Sequence, residues 1–367
     1  MGYALPRCGE GPEPGRHGNY DRRRNAAPRH PAAEARRRAD DATRALVARF
    51  WSGRAFSASS PGDGRTTPYW TSAQALDAML DALAREADPR LRDLVRAAFA
   101  EQDARGWTRE WFDDECWMAI ALLRAHDLTG EAAYFARARA LVEDVATHAV
   151  DPAAPGLWWD RAHTQKATAA NAGAVIAAAR LAERTGDATW LDFARRTYAH
   201  WRAAMVDPAT FQVADHVDAR GRVSWWRFTY NEGTMIGAAL ALHRATREAR
   251  YLEDARAIAG FALAHETEST PVGDVLSDGA ACRGDCEQFK GIAYRYLAAL
   301  AAADPANARL AAVLGASAEA VWTLARDPAT GLFGTSWSGP PPAGATSLPD
   351  QTSAAMELNL AAVAPGA

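Results

Sequence analysis

Apolar residues recur at helical spacing along nearly the whole chain, Ala fills many of the positions between them, and alternating runs of the kind that make strands are scarce. The pattern predicts twelve helices, over about 34–50, 73–87, 89–102, 114–128, 131–147, 166–184, 187–205, 231–246, 249–267, 285–302, 306–325 and 351–363. The connections alternate in length. Short turns (ADPR, DLTGEA, RTGDA, TREA, ADPANA) join the second helix to the third, the fourth to the fifth and so on. Long loops rich in Trp, Gly and Pro occupy 51–72, 103–113, 148–165, 206–230, 268–284 and 327–350. Helix, long loop, helix, short turn, repeated about every 50 to 60 residues, marks stacked helical hairpins. Neither terminal hairpin has the polar outer face of a solenoid cap, so the expected all-α fold is six hairpins closed into an (α/α)6 barrel. In such a ring every long loop emerges on one side and leads into the N-terminus of an inner helix, which places the functional site on that side.

The side chains at those helix starts carry the candidate chemistry. Asp113 and Asp114 follow an aromatic pair, Trp111 and Phe112, and precede the helical run ECWMAIALLRAHDL. Neighbouring carboxylates repel, which suits acid–base chemistry; an N-cap Asp followed by a first-turn Asp is the structural alternative. Of 41 basic residues only Lys166 and Lys290 are lysines, and both are expected to open inner helices, in QKATAAN (which also contains Asn171) and EQFKGIAYRY. A compact ammonium is not replaced by a guanidinium fork, so each is read as holding a carboxylate in place or contacting a ligand hydroxyl. Thirteen tryptophans are many for this length, and Trp111, Trp158, Trp159, Trp225, Trp226 and Trp337 sit in the loops. Flat apolar rings beside carboxylates and amides suit a carbohydrate, with one C–H face and many hydroxyls. Tyr230, Asn231 and Glu232 open another inner helix, Asp285, Gln288 and Lys290 a further one, and Gln351 the last, where Asp350 reads as a cap.

Composition narrows the class. The 49% hydrophobic content supports a large core, and a net charge of -4 with pI near 6.2 argues against a nucleic-acid partner. No apolar stretch approaches the ~20 residues of a membrane span. Residues 1–31, dominated by Gly, Pro and Arg, read as a disordered arm without a signal-peptide core, leaving 32–367 as a single catalytic domain, expected to be a monomer. As written the chain reads as cytoplasmic, and as extracytoplasmic if its start is misassigned. Cys282 and Cys286, spaced CRGDC, are close enough to bridge, and a disulfide is preferred to a zinc site because no His cluster accompanies them. With no metal-ligand signature, P-loop, dinucleotide fingerprint or nucleophile elbow, cofactor-free acid–base chemistry on a sugar is the expectation.

In order along the chain, WFDDECWMAIALL, GLWWD, QKATAAN, FTYNEGTMIGAAL, DCEQFKGIAYRYL and QTSAAMEL make the sequence similar to glycoside hydrolase family 76, the bacterial endo-α-1,6-mannanases and their fungal cell-wall relatives. The resemblance runs from about 107 to 358. It implies an (α/α)6 barrel and retaining hydrolysis of α-1,6-linked mannan without a cofactor, with Asp113 as nucleophile and Asp114 as acid/base. Glu232 stands where Gln is often expected and Cys116 where Ala is common, departures that touch substrate preference. Transglycosylation and non-catalytic glycan binding on the same barrel are the alternatives. A retaining pair must lie about 5 to 5.5 Å apart, and neighbours in a regular helix diverge by about 100°; Asp113 is therefore expected in extended or capping geometry, just outside the helix.

Overall fold

The computed structural model describes residues 31–57, 67–279, 281–342 and 344–363. Twelve α-helices lie among them: α1 (Pro31–Phe50), α2 (Tyr69–Arg85), α3 (Pro89–Arg105), α4 (Phe112–Thr129), α5 (Ala132–His148), α6 (Thr168–Thr185), α7 (Ala188–Met205), α8 (Thr229–Thr246), α9 (Ala249–His265), α10 (Phe289–Ala303), α11 (Ala308–Thr323) and α12 (Leu348–Ala361). The even-numbered helices pack in succession and α12 closes against α2, forming the inner ring. The odd-numbered helices return on the outside, and α1 packs on α12, so the first and last helices form the sixth hairpin. The fold is an (α/α)6 barrel.

Local chemistry explains the short-turn end. Helices α4 and α6 stop at Gly130 (φ 76) and Gly186 (φ 69), whose left-handed conformation turns the chain back at once. Asp88, Asp187 and Asn307 then cap α3, α7 and α11, each side chain accepting a backbone N–H of the first turn. Inner helices touch closely because small residues line their contacts. A Cβ at Gly233 of α8 would lie 2.6 Å from Ala293 Cα, inside van der Waals contact, so α8 and α10 meet there only through glycine.

The long-loop end departs from the all-helical expectation. Strands β1 (Gln165–Ala167), β2 (His216–Asp218) and β3 (Val223–Ser224) form one antiparallel sheet in that order, and β4 (Thr267–Thr270) pairs with β5 (Gly273–Leu276). Each is too short to display an alternation of its own. Several helix starts also move. Helix α2 begins at Tyr69, α1 already includes residue 31, and α4 begins at Phe112 with Trp111 as its extended N-cap. Lys166 lies in β1 rather than in α6, whereas Lys290 is the second residue of α10. The remainder of the expected disordered arm, with Cys8, lies outside the described residues.

Below the middle of the barrel, charges are compensated. Asp77 and Asp81 of α2 meet Arg124 of α4 and Arg295 of α10, with Arg295 Nη2 2.6 Å from Asp81 Oδ2 and its Nε 3.0 Å from Asp77 Oδ2. The two guanidinium groups hold the Asp77 carboxyl below its ordinary range despite complete burial. Trp117 and Ile292 separate this network from the open end of the barrel, lining the space on both sides.

Candidate active site

A cavity of about 840 Å³ opens at the long-loop end. Its floor is Trp117 and Ile292, and its walls carry Tyr69, Trp70, Trp111, Trp159, Trp226, Phe228, Tyr230 and Phe289. Into this aromatic setting project Asp113, Asp114, Asp215 and Asp285. The two neighbouring aspartates are the second and third residues of α4, so the expectation that Asp113 sits outside the helix is corrected. Both still reach one cavity, because side chains of a helix's first turn tilt toward its N-terminus, and here that end faces the open space.

Among the described residues the pair has no ion-pair partner such as Asp77 and Asp81 have. Burial pushes the Asp113 carboxyl up to about 7, opposed by the Trp159 side chain and the backbone N–H groups of Asp113 and Asp114. Burial followed by repulsion from Asp113 takes Asp114 to about 8, with Arg109 opposing. Hydrogen bonds to Asp113 favour its ionised form and repulsion from Asp113 favours the protonated form of Asp114, a division of labour that adjacent carboxylates need. Asp285 adds a third acid, itself raised by burial and by Glu287. Arg109 lies over the Tyr69 ring at 4.5 Å.

Some residues expected to contact ligand line the cavity, namely Trp111, Trp159, Trp226, Tyr230 and Asp285. Others are not among the lining residues. Lys166 Nζ donates to Asp151 Oδ2 at 2.7 Å and to the carbonyls of Ala154 and Pro155 at 3.0 Å, beneath the Trp158 ring, which stacks on His163. Lys290 lies 4.0 Å from Asp278 Oδ2 and under the buried Trp337 ring. Of the two roles offered for the lysines, these contacts are the carboxylate-holding one. Asn231 donates to Asp215, Gln288 is fully buried, and Trp225 is exposed beyond the rim. Asp350 closes a capping box with Ser347, as its reading as a cap requires.

Asn171, Glu232 and Gln351 share one geometry. Each is the fourth residue of its inner helix and accepts a backbone N–H from the preceding loop: Leu157 N at 2.7 Å, Val213 N at 2.8 Å and Phe333 N at 3.2 Å. Glu115, fourth in α4, accepts Arg109 N in the same way at 2.9 Å. Three of the loops open with a repeated motif, VDPAAPGL, VDPATFQV and RDPATGLF, whose first and last residues bridge antiparallel. Within each, the aspartate accepts from the second residue after it: Ala153, Ala209 and Ala329 N–H. That recurrence was the available signal that the fourth-position polar groups fasten loops. Tyr69, Trp70, Arg109, Trp117, Asp215, Phe228 and Phe289 were not anticipated in the cavity; the aromatic PYW segment at the start of α2 is the only sequence cue among them.

Cys282 and Cys286 are joined in a disulfide, and Cys286 faces the cavity. Asp278 lies beside them, yet with both sulfurs bonded to each other no thiolate remains to complete a metal site. Among the described residues no helix is long and apolar enough to cross a membrane.

Residues 34–366 match the sequence pattern of Glycosyl hydrolase family 76. The chain belongs to this family. The structure superposes on the GH76A α-1,6-mannanase of Salegentibacter sp. HEL1_6 with a TM-score of 0.80 and 28% identity, covering 90% of this chain and 100% of that one. A variant of that mannanase, inactive through replacement of two consecutive aspartates by asparagine, is similar over the same share of this chain and contains α-1,6-mannotriose. The fold is shared with family 76 mannosidase Bt3792 of Bacteroides thetaiotaomicron (TM-score 0.79, 18% identity, 90% of this chain and 98% of that one). It is shared too with Dfg5 of Chaetomium thermophilum (TM-score 0.78, 19% identity, 90% of each chain). Comparison with functionally curated proteins finds no match. Membership of family 76 makes this protein a glycoside hydrolase by class.

Proposed function

We propose that this glycoside hydrolase is a retaining endo-α-1,6-mannanase. The observation that carries the reading is the adjacent pair Asp113 and Asp114 in an aromatic cavity, both raised by burial, with hydrogen bonds favouring an ionised Asp113. Ionised Asp113 attacks the anomeric carbon and forms a mannosyl-enzyme ester. Asp114 gives its proton to the departing glycosidic oxygen, then takes one from the water that cleaves the ester. The aromatic rings offer flat surfaces to the C–H faces of successive mannose units. The inactive mannanase variant that lacks both of its consecutive aspartates supports assigning the chemistry to the same dipeptide here.

Product analysis on unbranched α-1,6-mannan tests the proposal. Internal cleavage with retained anomeric configuration is expected from wild type and is expected to vanish in Asp113→Asn and Asp114→Asn. Products longer than the input would replace hydrolysis by transglycosylation, and binding without turnover would leave a glycan-binding protein. The pH profile of kcat/KM should be bell-shaped, falling below about 7 as the pair gains its second proton and above about 8 as it loses its last.

A further inference from the structure

The wall near Asp113 contains a chain of polar contacts that the proposed chemistry does not use. His216 opens β2 and pairs across the sheet with Ser224 of β3. Its Nδ1 lies 2.7 Å from Asp215 Oδ2, and its Nε2 lies 3.1 Å from Ser224 Oγ. The other Asp215 oxygen accepts the Tyr230 hydroxyl at 2.8 Å and the Asn231 amide at 3.2 Å. The imidazole also meets the Trp226 indole edge-on, with centroids 5.1 Å apart. Asp215, Trp226 and Tyr230 all line the cavity, and Tyr230 is close enough to Asp113 for that carboxylate to oppose ionisation of the phenol.

A carboxylate only accepts hydrogen bonds, so on the neutral ring Nδ1 carries the proton and Nε2 accepts from the Ser224 hydroxyl. The imidazole therefore locks two cavity groups at once. It holds the Asp215 carboxylate in the orientation that receives Tyr230, and together with Phe228, whose ring meets the indole edge-on at 6.1 Å, it braces the 58% exposed Trp226. A ligand that met a loose carboxylate and a rotating indole would lose binding free energy in ordering them.

We propose that His216 is a positioning residue that pre-organises Asp215, Tyr230 and Trp226 as one sugar-binding wall. The inference rests on the mannanase reading for its substrate but not for its geometry. His216→Ala should raise KM for α-1,6-manno-oligosaccharides about tenfold with kcat within about twofold, because the wall binds substrate without touching the reacting bond. His216→Asn returns a donor near the Nδ1 position and should recover part of the loss; it also serves if the alanine variant fails to fold. Ser224→Ala should raise KM only about two- to threefold.

A fall in kcat at unchanged KM, or no effect of His216→Ala, would overturn the proposal. Hydrolysis of p-nitrophenyl acetate that is lost in Ser224→Ala would overturn it in favour of a nucleophilic serine. Ring-nitrogen NMR decides the contact chain without substrate: Nδ1–H on the neutral ring supports it and Nε2–H refutes it. Wild-type inactivity on every α-1,6-mannan would therefore remove the mannanase reading while the tautomer still decides the role of His216.

Discussion

The dipeptide Asp-Asp occurs twice in this chain, at Asp40–Asp41 and at Asp113–Asp114, and both copies lie within helices. The first, on outer helix α1, is answered by arginines: Asp40 pairs with Arg85, and Asp41 with Arg37 at 2.9 Å and with Arg44. The second faces an aromatic cavity, where burial raises both carboxyls, with repulsion from Asp285 adding to Asp113 and repulsion from Asp113 adding to Asp114. The contrast teaches that adjacency alone does not raise two neighbouring acids: burial beside aromatic rings without an ion-pair partner does, and adjacency then adds to it. Asp77 and Asp81 reinforce this inside the barrel, since both are buried but pair with Arg124 and Arg295, and the Asp77 carboxyl is held below its ordinary range.

The largest expected break in the comparison is catalytic. Asp113→Asn and Asp114→Asn should each lower mannan hydrolysis by about 10⁴-fold or more, whereas Asp40→Asn and Asp41→Asn should remain within about twofold, measured as initial rates of reducing-end release. Next is the effect of stripping a counter-charge from buried acids. Arg295→Met should destabilise the fold by about 3–5 kcal/mol in urea unfolding, while Arg44→Ala, on the solvent side of the first pair, should change it by less than about 1 kcal/mol.

A smaller effect should carry a pH signature. The folded pKa values of Asp113 and Asp114 lie above those of the unfolded chain, so wild-type stability falls as pH rises from the ordinary carboxyl range through about 7 and 8. The Asp113→Asn, Asp114→Asn double variant should gain about 1–3 kcal/mol over wild type at pH 9 and much less at pH 5, an advantage that Asp40→Asn should not reproduce. The smallest effect concerns Glu232, raised well above its usual range by burial and by Glu266, itself pushed up to about 8 by burial. Glu232→Gln keeps an acceptor for Val213 N–H. It should add about 1 kcal/mol at pH 8 and nothing at pH 5, read by thermal unfolding at the two pH values.

Much of the architecture was legible because it depends on local pattern. The alternation of long and short connections specified the hairpins, and Gly130 and Gly186 with the caps Asp88, Asp187 and Asn307 wrote the short turns into the chain. The strands were not legible, since residues such as 165–167 and 216–218 pair with one another across dozens of positions and carry no periodicity of their own. The placement of Asp113 was misjudged by assigning Phe112 to the loop. Its hydrogen bond to Trp159 O, from the neighbouring loop, attaches the helix start to that loop.

At the helix starts the division is sharper. Sequence alone determined that polar residues gather there and that the second Asp-Asp pair is among them, because composition and spacing are properties of the chain. Which of those residues face the cavity was decided only by tertiary structure. In α4 and α8 the second position, Asp113 or Tyr230, lines the cavity, whereas the fourth, Glu115 or Glu232, turns away to fasten a loop. Helical periodicity states that residues two apart diverge by about 200°, but not where either one points. Rotation of each helix about its own axis is set by packing against both neighbours in the ring, through contacts such as Gly233 on Ala293, and that rotation turns one set of acids toward substrate and the other toward the protein.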